Sequence, residues 1–271
     1  MDKVIKLGLI QSVVGADKEE NVARTCQLIR EAVSSGAKVV VLPECFNCPY
    51  STKLFAQYAE EIPGPTSTAL SAVAKECDIY IIGGSIPERD GSKFYNTCPV
   101  FGPTGDMLSK YHKMYLANTY VPGQMMIKES EIFSPGDTLT VVNTMWGSVG
   151  VGICRDLRYP ELALHYGKEG CSLLCYPSAY NVDIGSAHWE VMLRARAVDS
   201  QVYVCGVCPS QDNSKDAIFH YYGNSMVVDP WGKVIARCGP YEQVLLADID
   251  LKYLEEVCSQ LPINKERRND F

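Results

Sequence analysis

The sequence predicts an α/β protein on three observations. Short β-branched runs alternate with segments of helical periodicity as far as residue 207, glycine and proline clusters punctuate them, and the last part of the chain turns strand-rich. Val4 to Gln11 is the first apolar run. Asn21 to Ser35 then sets Val22, Cys26, Ile29 and Val33 at helical spacing, and Lys38 to Pro43 is a β-branched run that proline ends, completing a β-α-β unit. Ser67 to Glu76 repeats the helical pattern, and Asp78 to Ser85 reads as a buried strand stopped by glycines. Strands are predicted around Phe94 to Phe101, Met107 to Tyr111, Thr138 to Asn143 and Ser148 to Cys154, with Gly102-Pro103-Thr104-Gly105 and Pro135-Gly136-Asp137 as turns. Glu161 to Glu169 and Ala187 to Ser200 read as helices, Cys171 to Pro177 and Gln201 to Val207 as strands. Asn224 to Val228, Val234 to Arg237 and Val244 to Ile249 close the strand-rich part, and the tail KERRND reads as a solvated charged end. No linker, low-complexity segment or solenoid repeat interrupts this order, so one domain spanning residues 1–271 is expected.

With 25 basic against 32 acidic residues, a net charge of −7, 46% apolar and 21% charged content, the chain has the proportions of an ordinary globular protein, which excludes disorder as a description of the whole. The acidic balance, with no run of five or more basic residues, makes nucleic acid a poor partner. No apolar stretch approaches the ~20 residues that span a bilayer, and the opening MDKVIKLGLIQ lacks the pattern of a signal peptide; a cytosolic protein without a membrane partner is expected. Its 12 cysteines then read mostly as buried small hydrophobes.

Three residues stand where α/β sheets gather chemistry. Glu44 in VVVLPECFNCPY lies just past a buried strand, and ligands collect at the carboxyl ends of strands, although a lone acid there is more often solvated. Cys154 ends SVGVGIC at a strand-to-turn junction, with Arg155 and Arg158 and a following helix amino terminus expected to favour a thiolate. Lys113 in SKYHKMYL has no spacing that singles it out from a surface lysine. The four histidines show no His-x3-His pair and no Gly-x-Ser-x-Gly elbow is present, which disfavours a serine hydrolase of the α/β-hydrolase type. The pairs Cys45/Cys48 and Cys205/Cys208 fit a zinc site or a redox motif poorly, and the glycines of GSVGVGIC miss the dinucleotide fingerprint.

Together, Glu44 in LPECFNCPY, Lys113 in KYHKMYL and Cys154 in GVGICRDLRYPEL resemble the Glu-Lys-Cys triad of the nitrilase superfamily of carbon-nitrogen hydrolases. Further matches run almost end to end: GLIQ, IPGPTS, IIGGSIPE, YNTCPVFGPTGD, FSPGD, YPSAY, AHWEVMLRARAVDSQVYV, GNSMVVDPWG and DIDLKYLEEV. Within that superfamily the sequence is most similar to the omega-amidase branch. The resemblance implies a four-layer α-β-β-α sandwich, association into at least a homodimer, and no metal or organic cofactor. It implies Glu44 as general base, Lys113 as oxyanion stabiliser, Cys154 as thioester-forming nucleophile, and Glu129 in KESEIFSPGD as an additional glutamate that orients the site. It also implies hydrolysis of the terminal amide of a short dicarboxylic-acid monoamide such as 2-oxoglutaramate or 2-oxosuccinamate.

One position departs from that branch, where the nucleophile is commonly followed by an aromatic residue; here it is Arg155, whose guanidinium is expected either to bind a substrate carboxylate or to pair with a neighbouring acid. Tyr50, Ser178, Ala179 and Tyr180 are further candidates for substrate contact, against roles in packing and turns. An amidase for a deaminated glutathione-like substrate and a catalytically silent, thiol-rich interaction or redox-sensing scaffold remain the alternatives.

Overall fold

A computed structural model of the chain describes residues 4–121, 125–212 and 217–268. The last two residues of the KERRND segment lie outside them. Six strands of a first sheet come early: β1 (Val4–Gln11), β2 (Val39–Val41), β3 (Tyr80–Ile82), β4 (Ile86–Asp90), β5 (Lys93–Phe101) and β6 (Met107–His112). A separate two-stranded ribbon follows, β7 (Asn118–Val121) and β8 (Met125–Lys128). The second sheet contains β9 (Val141–Thr144), β10 (Gly147–Val151), β11 (Cys171–Pro177), β12 (Tyr203–Val207), β13 (Met226–Val228) and β14 (Val234–Arg237). Finally β15 (Gln243–Asp250) returns to the first sheet and pairs antiparallel with the whole of β1, from Val4 opposite Asp250 to Gln11 opposite Gln243.

Parallel pairing at the centre of each sheet, β1-β2-β3 and β10-β11-β12, explains why those runs lack polar alternation: both faces are covered. In β1 and β2, Leu7, Leu9, Val39 and Val41 point into the core shared with the second sheet. Ile10 and Val40 point the other way, under α1 (Lys18–Ser34) and α3 (Pro65–Cys77), where they meet Ile29, Ala32, Leu70 and Val73. Between α1 and α3 lies the short α2 (Phe55–Tyr58). On the far side, α4 (Pro160–Lys168) and α5 (Val182–Ser200) cover the second sheet with Leu162, Tyr166, Trp189 and Leu193. The order of layers is therefore α-β-β-α. Helices α6 (Leu251–Gln260) and α7 (Ile263–Glu266) follow β15. Among the described residues no helix is long and apolar enough to cross a membrane.

Most elements fall where periodicity puts them, and the differences have local causes. Helix α5 begins five residues before the predicted Ala187, because Asn181 caps it: its side-chain oxygen accepts from Ile184 N (3.1 Å). Helix α6, which apolar spacing alone did not reveal, starts where Asp250 accepts from Lys252 N (2.9 Å) and Tyr253 N (3.2 Å). Strand β4 and the β7-β8 ribbon, too short and too polar for a pattern, are fixed by pairing with neighbours.

One buried acid ties three strands of the first sheet. Glu88 on β4 accepts from Thr97 Oγ1 on β5 (2.6 Å), while Lys110 Nζ and His112 Nε2 reach it from β6. Burial pushes its pKa up, but the bonds from His112, Lys110 and Thr97 outweigh that and bring it down to about 2. A lowered carboxylate contributes stability above its unfolded pKa and loses it as pH falls through the folded value. Glu88→Gln is therefore expected to destabilise the protein by about 2–3 kcal/mol at neutral pH. In denaturant titrations the gap from wild type should close as pH falls from 4.5 towards about 2; a pH-independent gap would assign the loss to packing.

Candidate active site

The chain leaving β2 is tied from both sheets. Leu42 N donates to Ile82 O (3.0 Å), Ser85 N to Pro43 O (3.1 Å) and Cys45 N to Ser85 Oγ (3.1 Å), while Glu44 N reaches across the sandwich to Ser178 O (3.4 Å). This turn needs two left-handed residues, Cys45 (φ 50) and Gly84 (φ 63), and a β-carbon on Gly84 would collide with the Pro43 carbonyl. Glu44 is thereby held fully buried rather than solvated.

Lys113 follows directly on β6 and is anchored by its own backbone: its N–H donates to Asn96 O (2.9 Å) and its carbonyl accepts from Gly136 N (2.9 Å). It too is fully buried. Lys113 Nζ donates to Glu44 Oε1 (2.7 Å) and to Glu129 Oε1 (3.0 Å). Glu129, in the turn after β8, also accepts from Tyr50 Oη (2.7 Å) and from Ala117 N (2.6 Å). Burial works against the ammonium, but Glu129 and Glu44 outweigh it and hold the Lys113 pKa well above its ordinary value. Burial also raises Glu44, moderated by Lys113. Asn96 Nδ2 donates to Glu44 Oε1 (2.9 Å), Glu44 Oε2 is buried with no conventional partner, and the Cys154 thiol acts on this carboxyl group.

Cys154 opens a 3₁₀ turn, Cys154–Arg158, in the left-handed conformation (φ 48), where a non-glycine residue is strained. Asp156 holds that turn: Oδ2 accepts from Ile153 N (2.8 Å) and Tyr111 Oη (2.8 Å), and Oδ1 from Tyr115 N (2.8 Å). One carboxylate thus fixes the residue before the cysteine and the residues two before and two after Lys113. Burial pushes Asp156 itself up to about 6. At Cys154, burial and then the negative Glu44 raise the thiol well above its ordinary pKa, while Lys113 and the Ala179 N–H that faces the sulfur pull the other way. The resting sulfur is therefore a neutral thiol.

The groups that bear on the sulfur differ from those the sequence suggested. The cation that acts on the sulfur is Lys113; Arg155 donates to Thr119 Oγ1 (3.0 Å), and Arg158 packs over the Tyr180 ring (5.7 Å) and against His188 Nδ1 (3.3 Å). The next α-helix in the chain, α4, begins six residues on, at Pro160.

A cleft with about 380 Å³ of empty space opens over Cys154. Tyr50, Arg155, Ala179 and Tyr180 line it, as the sequence suggested, and so do Thr119 and Arg158. Ser178 does not: its Oγ donates to Tyr176 O (3.0 Å), and its carbonyl is spent on Glu44 N. Asn96 and Asp156 were missed in the sequence, although a polar residue inside or just after an otherwise buried apolar strand is a signal that its partner is another buried group. What the arrangement can do is chemical: a carboxylate beside a thiol can take its proton as the sulfur attacks, and an ammonium beside both can balance charge on an oxygen.

A family model described as carbon-nitrogen hydrolase matches residues 6–258. Omega-amidase NIT2 of Xenopus tropicalis is 53% identical over 266 residues, covering 98% of this chain and 96% of that protein. Omega-amidase NIT2 of Homo sapiens is 50% identical with the same coverage, 98% and 96%. The crystal structure of Saccharomyces cerevisiae Nit3, a member of branch 10 of the nitrilase superfamily, superposes with a TM-score of 0.90 at 38% identity, over 99% of this chain and 97% of that one.

If Glu44 is the base that serves Cys154, alkylation of the sulfur should follow the ionisation of the carboxylate rather than of the thiol. The rate of iodoacetamide labelling at Cys154, read by peptide mass spectrometry, is expected to rise through a midpoint above 4.5, because burial raises Glu44 from that value. Glu44→Gln should move the midpoint far into the alkaline range set by the raised thiol; an unchanged profile would remove Glu44 from the role.

Proposed function

We propose that this chain, which belongs to the carbon-nitrogen hydrolase family, is an omega-amidase acting as a single domain: a cysteine-dependent amidohydrolase that releases ammonia from a short dicarboxylic-acid monoamide such as 2-oxoglutaramate or 2-oxosuccinamate. The observation that carries the substrate class is the charge of the cleft. Beyond the nucleophile its described lining contains two guanidinium groups, Arg155 and Arg158, and no carboxylate. The hydrogen bond of Arg155 goes to a hydroxyl and leaves the rest of its fork for an anion, which supports the substrate-binding role over a structural ion pair. An amide with a carboxylate at its far end fits such a cleft, and the omega-amidase relatives support the same class.

The chemistry follows from the protonation states. A neutral thiol is a weak nucleophile, so Glu44 Oε2 takes the proton while Sγ bonds to the amide carbon and the carbonyl π pair moves onto oxygen. Lys113, charged and immobile, stands beside the developing oxyanion; removing such a donor typically costs ~10²–10³ in rate. Glu44 then gives its proton to the amide nitrogen, the C–N bond breaks, ammonia leaves and a thioester on Cys154 remains. Water loses a proton to Glu44 as it adds to the thioester carbon. Collapse expels the sulfur, which recovers that proton. Glu129, bonded to Lys113, Tyr50 and the Ala117 N–H, orients the lysine. No step draws on a metal or organic cofactor.

The same reading carries self-association into at least a homodimer and a cytoplasmic setting. Exposed apolar side chains on α5 and beside it, Val191 (59%), Val198 (43%) and Trp231 (53%), support the first. The 12 free thiols support the second.

Coupled ammonia detection tests the function on two amides of the same length, succinamate and butyramide, alongside 2-oxosuccinamate. The carboxylate-bearing amides are expected to be the better substrates, and Cys154→Ala should release no ammonia from any. Arg155→Leu should lower kcat/KM at least about tenfold for succinamate and leave butyramide within about twofold. Equal losses would return Arg155 to scaffolding, and preference for butyramide in the wild type would overturn the omega-amidase reading.

A further inference from the structure

Among the described residues, every polar side chain lining the cleft but one has a partner. Tyr50 Oη donates to Glu129 (2.7 Å), Asn181 Oδ1 accepts from Ile184 N to cap α5 (3.1 Å), and Thr119 Oγ1 takes the Arg155 bond (3.0 Å). Arg158 is occupied by His188 and by the ring of Tyr180. The Tyr180 hydroxyl alone in this lining is buried with no partner, in a side chain that is 5% exposed. A buried unpaired hydroxyl destabilises the protein that keeps it, and phenylalanine would fill the same space without that cost. Burial also pushes the phenol well above its ordinary pKa, so it is present as a neutral donor at any pH the protein meets.

We infer that Tyr180 is a specificity-determining residue, its hydroxyl donating to the 2-oxo oxygen of a 2-oxo-ω-amide bound in the cleft, an inference that rests on the omega-amidase reading. Two facts place that bond along the substrate. Tyr180 adjoins Ala179, whose N–H faces the sulfur, and it lies within electrostatic reach of Cys154, Glu44 and Lys113, so its hydroxyl is on the reacting side of the cleft. The scissile amide is already served by Lys113 and Glu44, and the charged fork of Arg155 suits the terminal carboxylate. What lies between amide and carboxylate in such a substrate is a neutral carbonyl, and a neutral donor matches it.

The test compares 2-oxosuccinamate with succinamate, which differ only by that carbonyl. Tyr180→Phe is expected to lower kcat/KM about three- to tenfold for 2-oxosuccinamate, to leave succinamate within about twofold, and to keep or raise Tm. Equal change on both substrates, or no change on either, overturns the inference; a packing role alone, which phenylalanine preserves, would leave the two amides unseparated. A second readout does not require turnover: protection of Cys154 from iodoacetamide by 2-oxoglutarate relative to glutarate. The wild type should be protected better by the oxo acid, and Tyr180→Phe should erase that difference. If the wild type hydrolyses neither carboxylate-bearing amide, the omega-amidase reading fails. The oxo acid's advantage, lost in Tyr180→Phe, would still sustain the role of the hydroxyl, and its absence in the wild type would end that role as well.

Discussion

A buried ammonium between two carboxylates sets the terms for everything around it. Lys113, Glu44 and Glu129 carry one positive and two negative charges with no exposed side-chain surface. Removing each ion from water costs several kcal/mol, and mutual attraction repays it only where the remaining lone pairs and protons are also satisfied. Here Asn96, Tyr50 and the Ala117 N–H supply those bonds. The atom left over is Glu44 Oε2, on the carboxyl group that the Cys154 thiol acts on. Burial first, and then the negative charge of Glu44, raise the Cys154 thiol above its ordinary pKa, against the pull of Lys113. Cys154 and Glu44 are thus an electrostatically coupled pair, each raised by burial.

Holding such a cluster requires a frame that does not relax, and the sandwich supplies it from both sheets. Glu44 comes from the end of β2, Lys113 from the end of β6 and Cys154 from the end of β10, and direct bonds rather than packing alone set their separation. Asp156 bridges the nucleophile turn and the Lys113 segment with three accepted bonds. Ser178 joins the sheets through its carbonyl, which gives it a part in the site although it never reaches the cleft. Cys45 and Cys154, adjacent to or within the triad, both occupy the left-handed region, and that local strain is sustained by the surrounding bonds.

The cleft divides its work along the substrate. The charged Glu44, Lys113 and Glu129 lie buried beneath it, whereas its wall carries two guanidinium groups and one phenol hydroxyl without a partner among the described residues. The position after the nucleophile shows the division most plainly: Arg155 changes what the wall attracts and leaves the triad geometry alone, because its own bond runs to Thr119 on the ribbon.

By itself the sequence determined the class of fold and singled out the residues that the structure brings together. Runs such as VVV at 39–41 and CSLLCYP at 171–177 are almost wholly apolar and so are buried on both sides, here between a helix layer and the opposite sheet. Glu44, Lys113 and Cys154 were legible as a set through the motifs around them, not through spacing, since 69 positions separate the first two. Elements held by a cap or by pairing alone, such as the start of α5 and the β7-β8 ribbon, were not legible, because their stability lies in partners elsewhere in the chain. Tertiary structure also decided which charge acts on the sulfur. Arg155 and Arg158 are its neighbours in sequence, yet the 3₁₀ turn aims both at the cleft wall, and the lysine 41 positions earlier takes their place, because electrostatic effect follows distance through a desolvated interior and not order along the chain.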